Sequence, residues 1–138
     1  MIEIMRSLEP IRIERDTKLF IEQEEVTEVY FFMKGIFEIG FNINLETCYS
    51  LRYKNYSVIG AYAVTFFKRS NYIYKTSTMC HGYFIRRKTW CNILNEGDTH
   101  VVKEFKDQIV REYEIKVKRV MNLTKLKEVQ KQAQRADF

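Results

Sequence analysis

The side chains of this chain that could do nucleophilic, acid–base or metal chemistry are scattered along the sequence. His81 and His100 are isolated from each other and are expected to be structural, and Cys48, Cys80 and Cys91 show neither CxxC spacing nor a Cys/His ligand pattern. No Ser-His-Asp arrangement, paired-carboxylate site or metal cluster is indicated. We therefore expect no enzyme, no metal and no cofactor, and we expect three reduced, buried thiols.

Size and composition limit the kind of fold that can position a site. The chain has 138 residues, enough for one domain with a sizeable core and too few for two ordinary ones. It contains 10 Phe, 9 Tyr and 1 Trp against 5 Gly and 1 Pro. Such a composition is typical of a globular chain, so we predict that residues 1–138 form a single domain.

The net charge of +5 is unevenly distributed. Residues 1–42 carry nine acidic and five basic side chains, whereas residues 111–138 carry four acidic and eight basic ones. In the basic tail the lysines and arginines alternate with glutamates on a helical pattern, which favours a solvated helix face over a nucleic-acid surface. No apolar run approaches the ~20 residues of a membrane span, and no signal-peptide core is present. The chain is therefore predicted to be soluble and cytoplasmic.

The stretch Thr27–Phe41 predicts the centre of a β core. Val29–Met33 is an aromatic and β-branched run, Lys34-Gly35 supplies turn chemistry, and Ile36–Phe41 alternates apolar and other residues. We predict two strands joined as a hairpin at a tight corner. Buried positions are expected at Val29, Phe31 or Phe32, Phe37 and Ile39.

Further short strands are predicted on both sides of this stretch. They cover residues 11–13, 18–21, 47–53, 56–60, 71–76 and 79–86. Ile2–Ser7 is predicted to be a helix remnant that ends before Glu9-Pro10, and Ala61–Phe67 is predicted to make one or two helical turns. Many short strands at close spacing favour a sandwich or jelly roll.

From Arg87 the apolar period changes from two to about 3.6. Lys88–Leu94 is predicted to be a short helix with Trp90 and either Ile93 or Leu94 inward, stopped at Gly97 by a glycine cap. Asp98 or Thr99 can cap a long amphipathic helix. Its apolar positions are Val102, Phe105, Ile109, Tyr113, Val117 and Val120.

Three stretches in this order resemble one family. Leu19–Ile39, LFIEQEEVTEVYFFMKGIFEI, is similar to the strand, acidic loop and hairpin of cyclic-nucleotide-binding domains. The positions in register with that family's pattern are Tyr30, Phe31, Gly35, Phe37 and Ile39. Ser57–Ser70, SVIGAYAVTFFKRS, resembles the family's phosphate-binding cassette, and Ser77–Leu94 looks like the final strand and the helix after it.

The resemblance implies a mostly β fold with flanking helices. It would be a β jelly roll (a double-stranded β-helix) over residues 11–86, preceded by a helix remnant at 1–10. C-terminal helices at 87–138 would follow, the long one acting as a lid. Within this family, the spacing and residue types of Ser57–Arg86 look most like those of the cytosolic domains of voltage-gated potassium or nonselective cation channels. That likeness implies a regulatory domain at the cytosolic face of a membrane, partnered by the channel's transmembrane part and oligomeric through the parent protein.

In the family that this chain resembles, the cassette binds a cyclic phosphate with backbone N–H groups at a helix N-terminus and with one guanidinium. Gly60 at the start of the short helix and Arg69 at its end match these two parts. The ligand would be cAMP or cGMP. The ligand-binding residues implied are Ile59, Gly60, Ala61, Tyr62, Arg69, Ser70 and Asn71, and the lid residues implied are Val117, Val120 and Met121.

The cassette departs from the family pattern in three ways. Ala61 stands where the family has the Glu that binds the ribose 2′-hydroxyl. The Gly60–Arg69 spacing is one residue short, with Lys68 as a rival cation, and Asn71 replaces a small residue. A hydrogen bond of this kind contributes about 1.5–3 kcal/mol, so its loss alone weakens binding tenfold or more. We expect weak or absent nucleotide binding, the alternative being a working cAMP or cGMP module of a channel, exchanger or kinase.

Two other hypotheses concern the C-terminal helix. A nucleic-acid-binding function would need a helix-turn-helix, and after Gly97 only one long helix remains. Its apolar pattern continues past what covering a jelly roll requires. Met121-Asn122-Leu123 resembles the segment that fills the empty pocket in ether-à-go-go-type channel domains, and a partner chain on Leu123, Leu126 and Val129 is the alternative. We favour a partner, or fraying, because a continuous helix cannot easily turn back into the pocket.

Overall fold

A computed structural model describes residues 2–136 as a β sandwich with helices at both ends. Its strands are β1 (Glu9–Ile13), β2 (Lys18–Phe20), β3 (Glu28–Lys34), β4 (Phe37–Ile43), β5 (Glu46–Tyr53), β6 (Ser57–Ile59), β7 (Ile73–Thr76) and β8 (Cys80–Arg86). Its helices are α1 (Ile2–Ser7), α2 (Ala61–Phe66), α3 (Arg87–Glu96), α4 (Thr99–Glu112) and α5 (Arg119–Ala136). A π-helical segment, Tyr113–Lys118, joins α4 to α5.

Two antiparallel four-stranded sheets face each other across the core. One has the order β1-β8-β3-β6 and the other the order β2-β7-β4-β5. Alternate side chains of each strand point inward, which is why the period of two found in the sequence marks the core face. Val29, Phe32, Phe37, Ile39 and Phe41 are all buried. The predicted β fold with flanking helices is therefore confirmed, and Phe32 rather than Phe31 occupies the core position.

The predicted hairpin at the centre of the chain is wrong. β3 pairs with β6 and β8, whereas β4 pairs with β5 and β7, so the corner carries the chain from one sheet to the other. At this corner the N–H of Gly35 donates to Asn55 Oδ1 at 3.0 Å, and that of Ile36 donates to Thr78 Oγ1 at 3.0 Å. Side chains of other loops thus satisfy the backbone groups that a hairpin would have paired.

Helix α3 packs against α2 and against strands β3 and β8. Trp90 and Leu94 are buried, as predicted, and Trp90 Nε1 donates to Thr65 Oγ1 of α2 at 2.9 Å. α3 ends at Gly97 as predicted, and Gly97 N donates to Ile93 O at 3.1 Å. The residue is extended, however, with φ −75° and ψ 167°, so it does not have the left-handed conformation of a glycine cap. The chain passes directly from Gly97 into the cap of α4, where Asp98 accepts hydrogen bonds from His100 N and Val101 N.

Together, α4, the π-helical segment and α5 form one long helix. Its C-terminal part runs along β5, which is the edge strand of its sheet. Tyr53 donates its hydroxyl proton to Lys116 O at 2.7 Å, and Ser50 Oγ donates to Met121 Sδ at 3.3 Å. Farther along the helix, Asn44 Nδ2 donates to Gln132 Oε1. The tail therefore covers the sandwich much farther than the sequence predicts. Within residues 2–136 no helix combines the length and apolarity that crossing a bilayer requires.

The three cysteines are free thiols, but only Cys80 is fully buried. Cys48 and Cys91 are half-buried, so the prediction of buried thiols holds for one of the three. Burial raises the pKa of the Cys80 thiol, and its contact with the backbone of Ile36, where Sγ donates to Ile36 O, opposes this more weakly. None of the three lies at the cavity described below.

Four buried or half-buried tyrosines make the fold sensitive to alkali. Burial raises the pKa of Tyr30, Tyr74 and Tyr113, and that of Tyr72 to about 12. The unfolded chain loses these protons near pH 10, about where a free tyrosine titrates, while the folded chain keeps them. Their contribution to stability is therefore fully present below about pH 10 and is lost as the pH rises toward the folded-state values.

We expect the free energy of unfolding to fall by about 1.4 kcal/mol per pH unit for each tyrosine that stays protonated in the folded chain. Urea unfolding between about pH 8 and pH 11, with tyrosinate absorbance recorded in parallel, measures this slope. A free energy of unfolding that is constant over this interval would show that the tyrosines are solvated.

Candidate functional site

A cavity of about 550 Å³ lies between the β sandwich, α2 and the long helix. Its volume is within the range of small-molecule sites in proteins. All seven residues of the predicted cassette line it, namely Ile59, Gly60, Ala61, Tyr62, Arg69, Ser70 and Asn71. The fold thus brings together every residue that the resemblance assigned to the ligand, and their role in binding stays a prediction.

Gly60 begins the helical part of the cassette in a left-handed conformation, with φ 90° and ψ −4°. A Cβ at this position would lie 2.8 Å from Glu28 O, so a larger residue would be both strained and crowded. Gly60 O accepts the first hydrogen bond of α2 from Val64 N at 3.0 Å. The N–H groups that precede Val64 have no acceptor within the helix, which leaves them free for an anion or for water.

Arg69 is held at the other end of the cassette by the acidic loop of residues 22–25. Its Nη1 donates to Gln23 O at 3.0 Å. The neighbouring backbone is joined to the same loop, since Ser70 N donates to Glu24 O at 2.9 Å and Gln23 N donates to Ser70 O at 2.7 Å. A guanidinium has five N–H donors, so an exposed Arg69 keeps most of them for a ligand. Lys68, the rival cation, does not line the cavity.

The main cation beside Glu25 of the acidic loop is Arg87 rather than Arg69. Arg87 Nη1 lies 2.6 Å from Glu25 Oε1. This hydrogen bond and charge pair lower the pKa of Glu25, to which the charge of Arg69 adds a smaller effect. Arg69 therefore does not have Glu25 as its principal counter-ion.

Tyr113 closes the cavity from the long helix. Its ring stacks on that of Tyr62, with centroids 4.1 Å apart and planes 2° from parallel. Its hydroxyl accepts a hydrogen bond from Asn71 Nδ2 at 3.1 Å. Burial raises the pKa of Tyr113, and the bond from Asn71 partly opposes this. Asn71 thus joins the cassette to the long helix.

The lid residues predicted from the sequence are only partly right. Val117 lines the cavity, but Val120 and Met121 do not. Met121 is fully buried and contacts Ser50 of β5 instead. Because the helix is fastened to β5 from Lys116 onward, the residues beyond Val117 have already passed the cavity. Asn122 and Leu123 do not line it either, so the tail up to residue 136, where the described part ends, does not fill the pocket.

Sequence reasoning missed five other polar residues that line the cavity. Lys54, Asn55 and Tyr56 come from the turn between β5 and β6, and Glu112 and Lys116 come from the long helix. The turn was visible in the sequence, but nothing local showed which cavity it would border. The described lining residues carry three cations, Lys54, Arg69 and Lys116, against the single carboxylate of Glu112. The cavity therefore favours an anionic ligand.

Aromatic rings supply much of the remaining wall. Five tyrosines and two phenylalanines line the cavity, namely Phe20, Phe37, Tyr53, Tyr56, Tyr62, Tyr74 and Tyr113. Flat aromatic walls suit a planar ring, since offset stacking adds about 0.5–1.5 kcal/mol beyond area burial. The described lining contains no histidine or cysteine. In residues 2–136 no group of three or more His, Cys, Asp or Glu could hold a metal ion.

Solved structures share this fold. With PKAR CBD2 bound to Sp-2Cl-cAMPS the TM-score is 0.67 at 16% identity, covering 88% of this chain and 75% of that one. With an EAL enzyme in its cGMP-bound form it is 0.64 at 14% identity, covering 94% and 34%. With the regulatory domain of Toxoplasma gondii PKA with cAMP it is 0.59 at 17% identity, covering 63% and 33%.

These likenesses establish the fold. No protein-family model matches the chain, and no curated protein matches it in sequence. The match spans about a third of the Toxoplasma gondii chain, so that protein corresponds to this one only in part. The chain shares the fold of the Toxoplasma gondii PKA regulatory domain solved with cAMP and of PKAR CBD2 solved with Sp-2Cl-cAMPS.

Proposed function

We infer that this chain is a regulatory domain whose cavity binds a cyclic nucleotide with low affinity. The observation that carries the proposal is that all seven cassette residues line one cavity of about 550 Å³, which Tyr113 closes. Three cations around the cavity suit a phosphate, and its tyrosines suit a planar base. The described lining offers one carboxylate and no histidine or cysteine, which supports binding rather than catalysis.

Low affinity follows from what the cassette lacks. Ala61 lines the cavity with a methyl group where the resembled family has a carboxylate for the sugar. Arg69 already donates one N–H to Gln23 O, and the ligand must compete with that bond or use the remaining donors. Each lost hydrogen bond to a charged group costs about 1.5–3 kcal/mol of binding free energy. We therefore expect dissociation constants of about 0.1–1 mM for cAMP or cGMP.

Calorimetric titration of the chain with cAMP and with cGMP tests the proposal. Saturable heat with a midpoint of about 0.1–1 mM supports it. A midpoint in the low micromolar range would instead support a working sensor, the second candidate, which the cAMP- and cGMP-bound structures of the same fold favour. No saturable heat up to about 10 mM of either nucleotide refutes binding.

Arg69→Ala should abolish the binding of either nucleotide. Its guanidinium is the cation of the cassette that lines the cavity, and a bidentate phosphate contact is among the strongest polar contacts available. The melting temperature should change little, because the lost bond to Gln23 O is exposed to solvent. Calorimetry and a thermal melt of the same variant measure the two effects.

Lys68→Ala is the matched control, since Lys68 is the adjacent cation but does not line the cavity. It should bind as the unchanged chain does. Equal affinities in the two variants would remove Arg69 from the site and point to Lys54 or Lys116.

The resemblance of Ser57–Arg86 to channel domains supports a further part of the proposal. We infer that the regulated protein is a membrane channel, oligomeric through its transmembrane part. Full-length protein expressed in cells should then sediment with membranes in about 1 M salt and be released by detergent. Recovery of the intact full-length protein in the supernatant would contradict the channel and favour a kinase or EAL-type partner.

A further inference from the structure

Helix α5 has a second apolar face that the sandwich does not cover. Leu123 is 55% exposed, Leu126 57% and Val129 47%, and we call these three residues the free face. They follow one another at intervals of three, so they share one side of the helix. Met121, which is fully buried against β5, lies on the other side. The packing of α5 on the sandwich therefore leaves these three apolar side chains exposed.

The packed side of α5 is identified by several contacts along its length. Lys125 Nζ lies 5.8 Å from the centroid of the Phe41 ring. Glu128 and Lys131 perturb the pKa of the Cys48 thiol on β5, after burial, which raises it most. Gln132 accepts a hydrogen bond from Asn44. The orientation of α5 is thus fixed over about three turns, from Met121 to Gln132, and the free face points away from the sandwich along this length.

The helix around the free face is strongly basic, and its cations are unpaired. Residues 113–136 contain seven lysines and arginines against two glutamates. In the part of the chain that the structure describes, none of these seven cations lies within 4.0 Å of a carboxylate. Exposed leucines flanked by unpaired cations are complementary to a surface with apolar residues between carboxylates.

We propose that the free face docks an acidic amphipathic helix of a partner protein. Such a helix would place its own apolar residues against Leu123, Leu126 and Val129 and its glutamates beside Lys127. A second copy of α5 would bring together two helices of the same positive charge, which opposes pairing. Insertion into a membrane surface is poorly supported, since α5 contains no aromatic residue to anchor it.

The probe is a fluorescent synthetic helix of four heptads with leucine at the a and d positions and glutamate at e and g. Glutamates keep this peptide from pairing with itself. Anisotropy titration with the full chain should show saturable binding with a dissociation constant below about 100 µM, weakened at least about tenfold in 0.5 M salt. A peptide with the same core and lysine at e and g should not bind.

Leu126→Gln removes an apolar contact at the middle of the free face and should weaken binding of the acidic peptide at least about tenfold. Lys127→Glu should weaken it similarly. Val101→Gln is the control, because Val101 is 62% exposed on α4 and lies outside the free face. Leu126→Gln and Lys127→Glu should each melt within about 2 °C of the unchanged chain, since the altered side chains are exposed.

Three results would overturn the proposal. The first is the absence of acidic-peptide binding up to about 1 mM. The second is equal weakening by Val101→Gln. The third is binding of the chain to vesicles with about 30 mol % phosphatidylserine, or a dimer in sedimentation, that Leu126→Gln abolishes while the peptide stays unbound. That last result would assign the face to an anionic membrane or to a second copy.

Discussion

Replacing Phe37 with alanine should lower the free energy of unfolding by about 3–5 kcal/mol. Phe37 is 2% exposed, and its ring lies 6.3 Å from that of Phe32, 5.3 Å from that of Tyr53 and 6.5 Å from that of Tyr74, measured between centroids. The Phe37 side chain therefore contacts the facing sheet through Phe32 and strands of its own sheet through Tyr53 and Tyr74. Deleting the ring removes these contacts and leaves a cavity that the surrounding strands cannot fill.

Urea unfolding followed by fluorescence measures this change. Phe67→Ala is the matched control, because it deletes the same ring from a residue that is 73% exposed. We expect the control to change the free energy of unfolding by less than about 1 kcal/mol. A similarly small value for Phe37→Ala would show that β4 does not have the register described here.

Gly82→Ala should cost at least about 3 kcal/mol or prevent folding. Gly82 lies on β8 opposite Ile11 of β1 and Phe32 of β3. A Cβ at this glycine would lie 2.0 Å from Phe31 O, and a backbone carbonyl within a strand cannot move aside as a side chain can. The added methyl group must therefore push β8 away from β3, which breaks the centre of that sheet.

The melting temperature and the far-ultraviolet circular dichroism of Gly82→Ala report this separation. Gly97→Ala is the control. Its Cβ would meet Val102 Cγ2 at 2.8 Å, the end of a side chain that can rotate, and Gly97 has an extended backbone that alanine can adopt. If Gly82→Ala melted at the same temperature as the control, β8 and β3 could not be as close as described.

Local patterns in the sequence determined most of the elements and their inner faces. Alternation along Phe37, Ile39 and Phe41 marks buried positions because successive side chains of a strand point to opposite sides. The helical spacing of Trp90 and Leu94 marks the packed face of α3 for the corresponding reason. Asp98 could be assigned as a cap because its carboxylate bonds to N–H groups only two and three residues away.

The order of the cassette residues along the chain was likewise sufficient to group them. Gly60 and Arg69 are separated by one short helix, so few conformations of the intervening segment exist and both ends reach the same cavity. Lys54 and Lys116 could not be found in this way. They are 62 positions apart in the sequence and become neighbours of the cavity only when the long helix crosses it.

The tertiary structure alone decided how the elements pair and where the long helix lies. Whether β3 and β4 form a hairpin depends on strands that the chain supplies later, β6 and β8 for one and β5 and β7 for the other. An apolar helical stripe predicts that a helix packs, but not against what. Here the hydrogen bond from Tyr53 to Lys116 O and the π-helical segment before Arg119 set its position. As a result, Tyr113 covers the cavity and Met121 packs on β5. No local pattern encodes these two contacts, because each joins residues that are far apart in the sequence.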